Sequence, residues 1–366
     1  MRDETPTRDK RPAWLKPTPD QTGGRQTDKS LPAVLSRLMR GQNLRRDEAA
    51  NFLDALLDGE ATDAQISAAL VALAIKGETV EELAGMATAM RSRAVRLQCR
   101  HERFIDTAGT GSSHAKTFNV STAAALVIAG AGLAVAKHGN RAATSRTGSA
   151  DVLTALGVQV SAAPEVSERC LNEIGICFMF APLYHGATAH VAAIRRQLGV
   201  HTTFNLLGPL TNPAGAPCQI VGVWHQSLVE PVARALAALG TKKSWVVHGF
   251  EGLDEITLAH KTAVAEASNG CVRTFEIEPE DFGLRRVSLE ALRGGDAADS
   301  ARTIREVLEG ERHDEARDLV VINAAAGLFV GGMTSDLNEA RRQAEKSIDE
   351  GAAHAKLVEL VKATNE

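Results

Sequence analysis

The sequence predicts an α/β protein: a large, mostly parallel sheet domain flanked by helices, preceded by a small all-helical N-terminal domain. Three observations carry this. The chain has 366 residues, roughly twice the commonest domain size. Between about 31 and 97 apolar residues recur at helical spacing, and nothing there reads as a strand. From Phe104 onward short apolar runs alternate with helical stretches, the pattern of a sheet covered on both faces.

The elements follow in order. Residues 1–28 hold four prolines, six basic and five acidic residues, too little apolar material to repay the entropy of ordering. A disordered polar tail is expected there. Leu31, Val34, Leu35 and Leu38 mark one helical face; Ala50, Phe52, Leu53 and Leu56 mark a second. Asp63 is the expected cap of a third helix through Lys76, and Thr79 with Glu82 has the spacing of a capping box before a fourth. Strands are expected at Phe104 to Asp106, Leu133 to Ala136, Cys177 to Phe180, Ile220 to Trp224, Ser244 to Val247 and Arg273 to Ile277. Helices are expected at about 121–131, 149–157, 189–199 and 227–239, then near 288–294, 300–309, 313–330 and 335–362.

Composition excludes several classes. A net charge of −4 and 4% aromatics argue against a protein that coats nucleic acid or stacks bases. Cys99, Cys170, Cys177, Cys218 and Cys271 form no CxxC pair and are odd in number, which suits reduced structural thiols. The N-terminus has no apolar signal region, and the longest low-polarity run, Ala123 to Ala136, is too short to cross a bilayer. A cytoplasmic enzyme is expected.

Three motifs carry chemistry. Asp106 to Ser113 is a small-residue loop after a strand, followed by Thr117 to Thr122 at a helix start. Loop N–H groups and the first turn of a helix make an anion site; a plain turn with an ordinary Ser/Thr cap fits the same residues. The loop is neither a Walker A sequence nor a complete GxGxxG. Lys137-His138-Gly139-Asn140-Arg141, continuing through Asp151, begins where an apolar run ends, and open α/β sheets carry ligands at such strand ends. Its cations, amides and hydroxyls suit a phosphorylated sugar. Gly252-Leu253-Asp254-Glu255 sets two carboxylates at a turn, where both can serve one Mg²⁺ site or simply face solvent.

With TFNVST at 117–122, KHGNR at 137–141, GSADVL at 148–153, FNLLGPLTNP at 204–213 and VVHGFEGLDE at 246–255, the chain resembles the anthranilate phosphoribosyltransferases of tryptophan biosynthesis from about residue 30 onward. The resemblance implies a nucleoside phosphorylase-like architecture: a helical domain at 29–98, joined by part of 185–210, beside an α/β domain at 99–366. It implies Mg²⁺, two ions with donor bound, held through Ser121, Asp254 and Glu255. The donor, 5-phosphoribosyl 1-diphosphate, would meet Gly109, Ser112, Ser113, Thr117, Asn119, Val120, Ser121, Thr122, Lys137, His138, Gly139, Asn140, Arg141, Ala142, Ala143, Thr144, Ser145 and Ser149. Anthranilate would meet Gly109, Asn140 and Arg195. No covalent nucleophile is implied; Lys137, Asp254 and Glu255 would supply transition-state electrostatics. A homodimer without nucleic-acid or membrane partners is also implied. Ser112-Ser113 stands where the family usually carries Gly-Asp. A nucleoside phosphorylase is the competing reading, and the aromatic-acid site with the paired acids favours anthranilate transfer.

Overall fold

The computed structural model describes residues 30–111, 117–142, 147–288, 290–292 and 294–366. The tail expected at 1–28 lies outside the described residues.

Four helices open the described chain: α1 (Leu31–Met39), α2 (Arg46–Leu57), α3 (Asp63–Lys76) and α4 (Val80–Arg93). The cap of α3 is Thr62 rather than Asp63. Its hydroxyl accepts from the Gln65 N–H at 3.3 Å while Gln65 Oε1 accepts from the Thr62 N–H at 2.9 Å, a reciprocal box that fixes the start one residue earlier. Thr79 and Glu82 close the expected box on α4, at 2.8 and 3.2 Å.

Then come β1 (Phe104–Gly109), α5 (Val120–Gly130), β2 (Ala134–Gly139), α6 (Ser149–Ala155), α7 (Pro164–Glu173), β3 (Ile176–Phe180), α8 (Ala181–Tyr184), α9 (Ala189–Leu198), α10 (Thr203–Leu210), β4 (Cys218–Gly222), α11 (Val229–Ala238), β5 (Lys243–Gly249), β6 (Thr262–Ser268) and β7 (Cys271–Ile277). Helices α12 (Ala297–Leu308), α13 (Glu315–Val330), α14 (Leu337–Asp349) and α15 (Ala352–Asn365) finish the chain. The run expected at 335–362 is two helices, broken where Gly351 takes φ 74°, a conformation that glycine adopts without strain. In the stretch expected as a helix at 288–294, the described residues contain a short 3-10 turn, Glu290–Leu292.

Among the described residues the strands form one seven-stranded sheet in the order β3-β2-β1-β4-β5-β6-β7. The first five in that order are parallel; β6 and β7 add antiparallel at one edge. The winding reverses between β1 and β4, and such a switch point opens a crevice at the strands' carboxyl ends.

Two apolar cores flank the sheet. One packs Ile105 and Val135 with Val127 of α5, Val320 of α13, Ile348 of α14 and Leu357 of α15. The other joins Val221, Val246 and Ala265 to Leu236 of α11 and to the α1–α4 helices, through Leu53, Leu73 and Met86. Val191 and Ile194 of α9 and Phe204 and Leu207 of α10 belong to this second core. The segment after β3 therefore leaves the sheet, packs with the N-terminal helices, and returns as β4.

Candidate active site

The crevice at the switch point is a cavity of ≈ 320 Å³. Its floor is set by close backbone approach. Gly109 and Gly222 are register partners at the ends of β1 and β4. The Thr110 N–H and hydroxyl both donate to the Gly222 carbonyl, at 2.9 and 3.1 Å. A Cβ on Gly222 would fall 1.6 Å from the Asp254 carbonyl oxygen, so only glycine lets the carboxylate loop come this near.

Asp254 and Glu255 thereby meet the start of α5. Thr117 Oγ1 donates to Glu255 Oε2 at 3.3 Å. Burial, then the neighbouring Asp254 charge, pushes the Glu255 carboxyl up to about 8. The two carboxylates and Ser121 line the cavity together, an oxygen donor set short of a complete cage. Among the described residues no three His, Cys, Asp or Glu side chains cluster as metal ligands. That chemistry fits Mg²⁺, which takes one or two carboxylates and completes its shell with phosphate and water.

Lys137 rises from β2 into the same floor. Its ammonium donates to the Thr107 carbonyl and, at 3.4 Å, to Ser121 Oγ. Burial draws it down to about 8 against the pull of Asp106 and Glu255. Asp106 is fully buried and accepts from the His138 N–H at 3.1 Å and from Asn212 Nδ2 at 2.8 Å, which pins the end of β2. His138 Nδ1 lies 3.2 Å from the Gly208 carbonyl. A carbonyl only accepts, so Nδ1 carries the hydrogen and Nε2 keeps its lone pair. Burial, then His185, takes this imidazole down to about 3, a weak base.

The second loop is tied at both ends. Asp151 Oδ2 accepts from the Ala142 and Gly148 N–H groups, each at 3.0 Å, and Oδ1 from Arg141 at 2.9 Å. Asn119 Oδ1 accepts from Thr147 at 3.0 Å and from Ser300 of α12 at 3.2 Å, so the first loop, the second loop and a distant helix share one oxygen. Arg195, Phe204 and Asn205 also line the cavity. Arg195 is partly buried while Arg196 is exposed, as their 100° separation around a helix requires.

Of the residues singled out in the sequence, Gly109, Thr117, Asn119, Ser121, Lys137, His138, Gly139, Asn140, Arg141, Ala142, Ser149, Arg195, Asp254 and Glu255 line this one cavity. Val120 and Thr122 are buried beneath it; Val120 packs in the core. Ser112, Ser113, Ala143, Thr144 and Ser145 lie outside the described residues. Sequence reasoning missed Phe204, Asn205, Gly294 and Gly295 as lining residues. A Cβ on Gly294 would meet the Thr117 carbonyl oxygen at 2.2 Å, so glycine lets this segment lie against the start of α5, a contact that no local spacing reveals.

A crevice at the switch point of a sheet, lined by paired carboxylates and cations and with a helical bundle on its flank, suits a phosphorylated ligand. Residues 101–354 match the a/b domain of the glycosyl transferase family, and residues 32–94 match that family's helical bundle domain. The anthranilate phosphoribosyltransferase of Moorella thermoacetica is 51% identical over 331 residues, covering 90% of this chain and 97% of its own. The crystal structure of the Thermus thermophilus enzyme of that name superposes with a TM-score of 0.85 at 41% identity, over 91% of this chain and 99% of that one. The Saccharomyces cerevisiae enzyme in complex with PRPP and Mg gives 0.83 at 28% identity, over 92% and 98%. The chain belongs to the anthranilate phosphoribosyltransferase family.

Proposed function

We propose that this chain transfers the phosphoribosyl group of 5-phosphoribosyl 1-diphosphate (PRPP) to the amino group of anthranilate, giving N-(5-phosphoribosyl)anthranilate and pyrophosphate in tryptophan biosynthesis. The observation that carries this reading is the lining of the cavity. Paired carboxylates, Lys137 and a guanidinium, Arg195, share that one crevice. The carboxylates and Lys137 suit a diphosphate with its cation, and the guanidinium suits a carboxylate.

The donor carries its own leaving group, so the residues have three tasks. The loop that begins at Gly109, the turn Thr117 to Thr122 and the segment Lys137 to Ser149 hold the phosphates. Asn140 and Arg195, with Gly109 at the floor, orient the acceptor so that its amine faces C1 of the ribose. Lys137 keeps positive charge beneath the diphosphate end through Ser121 and Thr107. Mg²⁺, two ions in the fullest reading, would be held through Ser121, Asp254 and Glu255 and would neutralise charge on pyrophosphate.

The division of labour follows the domains: residues 99–366 hold the donor, and 29–98 with part of 185–210 shape the acceptor side. A homodimer working in the cytoplasm, with no nucleic-acid or membrane partner, completes the reading. Among the described residues no helix is long and apolar enough to cross a membrane. Exposed Val71 and Ile75, one turn apart on α3, suit the dimer contact. Light scattering should then give twice the 38.8 kDa chain mass.

The test is direct. Purified protein should consume anthranilate and release pyrophosphate only when PRPP and Mg²⁺ are both supplied. Folded protein that forms no product, or that instead cleaves nucleosides with phosphate, would overturn the assignment.

A further inference from the structure

The Arg195 guanidinium is held by one edge. Nε donates to Thr202 Oγ1 at 3.0 Å, and Nη2 donates to Asn205 Oδ1 at 3.1 Å. These two contacts take the side edge of the planar group. Among the described residues its terminal edge, formed by Nη1 and the second N–H of Nη2, makes no hydrogen bond. The Phe204 ring covers a flat face, its centroid 5.3 Å from Cζ. Arg195, Phe204 and Asn205 all line the cavity.

The holding groups are themselves fixed. Asn205 Oδ1 also accepts from the Thr202 N–H at 3.1 Å, so one oxygen both starts α10 and grips the guanidinium. Two donors on that atom set the amide's orientation. Thr203, the next residue, donates to Glu78 in the link between α3 and α4, tying this corner to the helical bundle.

We propose that Thr202 and Asn205 are positioning residues, which occupy the side edge of Arg195 and so present its terminal edge, a two-donor fork, to the carboxylate of the acceptor. This rests on the reading of Arg195 as the acceptor's carboxylate partner. A carboxylate matches such a fork with two parallel N–H···O bonds. An acceptor without a carboxylate would leave a half-buried cation unanswered, so the pair also selects among aromatic amines. Loss of either holder lets the side chain rotate, and the cost falls on acceptor recognition alone.

Steady-state kinetics on Asn205→Ala, Thr202→Val, Thr202→Ser and Arg195→Ala test this, with KM measured separately for anthranilate and PRPP. Asn205→Ala and Thr202→Val should each raise the anthranilate KM about tenfold, the scale of one charge-assisted hydrogen bond, and leave the PRPP KM in place. Thr202→Ser, which keeps the hydroxyl, should recover most of the loss. In an Arg195→Ala background, Asn205→Ala should add nothing further, because its effect passes through the guanidinium. A merely structural role would give additive losses and a raised PRPP KM, and that result would overturn the proposal. A high anthranilate KM in Arg195→Ala with a normal one in Asn205→Ala would overturn the positioning role and leave Arg195 as the clamp. An unchanged anthranilate KM in Arg195→Ala would remove both.

Discussion

Asp254 and Glu255 stand side by side, and the second of them resists ionisation first because it is buried and then because the charge of the first is beside it. A cation relieves that repulsion. Asp254→Asn combined with Glu255→Gln keeps volume and removes charge, so the fold should survive while Mg²⁺-dependent turnover falls by two orders of magnitude or more, about 3 kcal/mol of lost transition-state stabilisation. Activity titrated against Mg²⁺ checks it. Asp106 sits deeper and carries a different consequence. Burial raises its carboxyl from 3.8 to about 6, even with Lys137, Asn212 and the His138 N–H working the other way. Between those values the folded chain holds a proton that the unfolded chain has released. The contribution of this group to stability is therefore complete below pH 3.8 and lost as pH rises through about 6. Asp106→Asn cannot titrate. Measured by urea melts, its stability relative to wild type should improve across that window and level off above it.

At the scale of elements, the close approach of β4 to the carboxylate loop decides the geometry of the floor. Gly222→Ala would drive a methyl into the Asp254 carbonyl, and the obstacle is backbone, so the loop must move. A displacement near 1 Å at reacting groups costs about a hundredfold, and kcat/KM should fall by about that much while the melting temperature changes only modestly. The periodicity that revealed α1–α4 and the five parallel strands is local, and so were the glycine loop, the Lys137 to Asp151 segment and the Asp254-Glu255 turn. What escaped was governed from elsewhere. No element was expected at Thr262-Ala-Val-Ala-Glu-Ala-Ser, and pairing with β5 and β7 makes it β6. No helix was expected at α10, which carries Pro209 near its last residue. Asn119 and Ser300 are 181 positions apart, and no spacing rule links them. Local motifs and the family resemblance named residues that line the cavity; the partners that aim those residues are set by tertiary packing.

On the scale of the whole molecule the cavity lies where the sheet's crevice meets α9 and α10, which share a core with the N-terminal helices. A ligand that touches both sides ties them together and binds only the folded chain. PRPP and Mg²⁺ together should raise the melting temperature more than the two separate increments combined. At a hundred times the dissociation constant the stabilisation is about 2.7 kcal/mol. Differential scanning fluorimetry with each ligand alone and both together reads this directly, and equal additive shifts would place the two at independent sites.

The position of β4 beside β1 has a consequence in time. The ribosome delivers β1, β2 and β3 first, and these can pair among themselves, but the other edge of β1 has no neighbour until Cys218–Gly222 has emerged. At ordinary elongation rates that interval lasts on the order of ten seconds. Through it the strand offers an uncapped row of amides and carbonyls to any passing chain. A message cut short before residue 218 would leave its product with that edge for good, and such fragments should be found in inclusion bodies rather than in the supernatant.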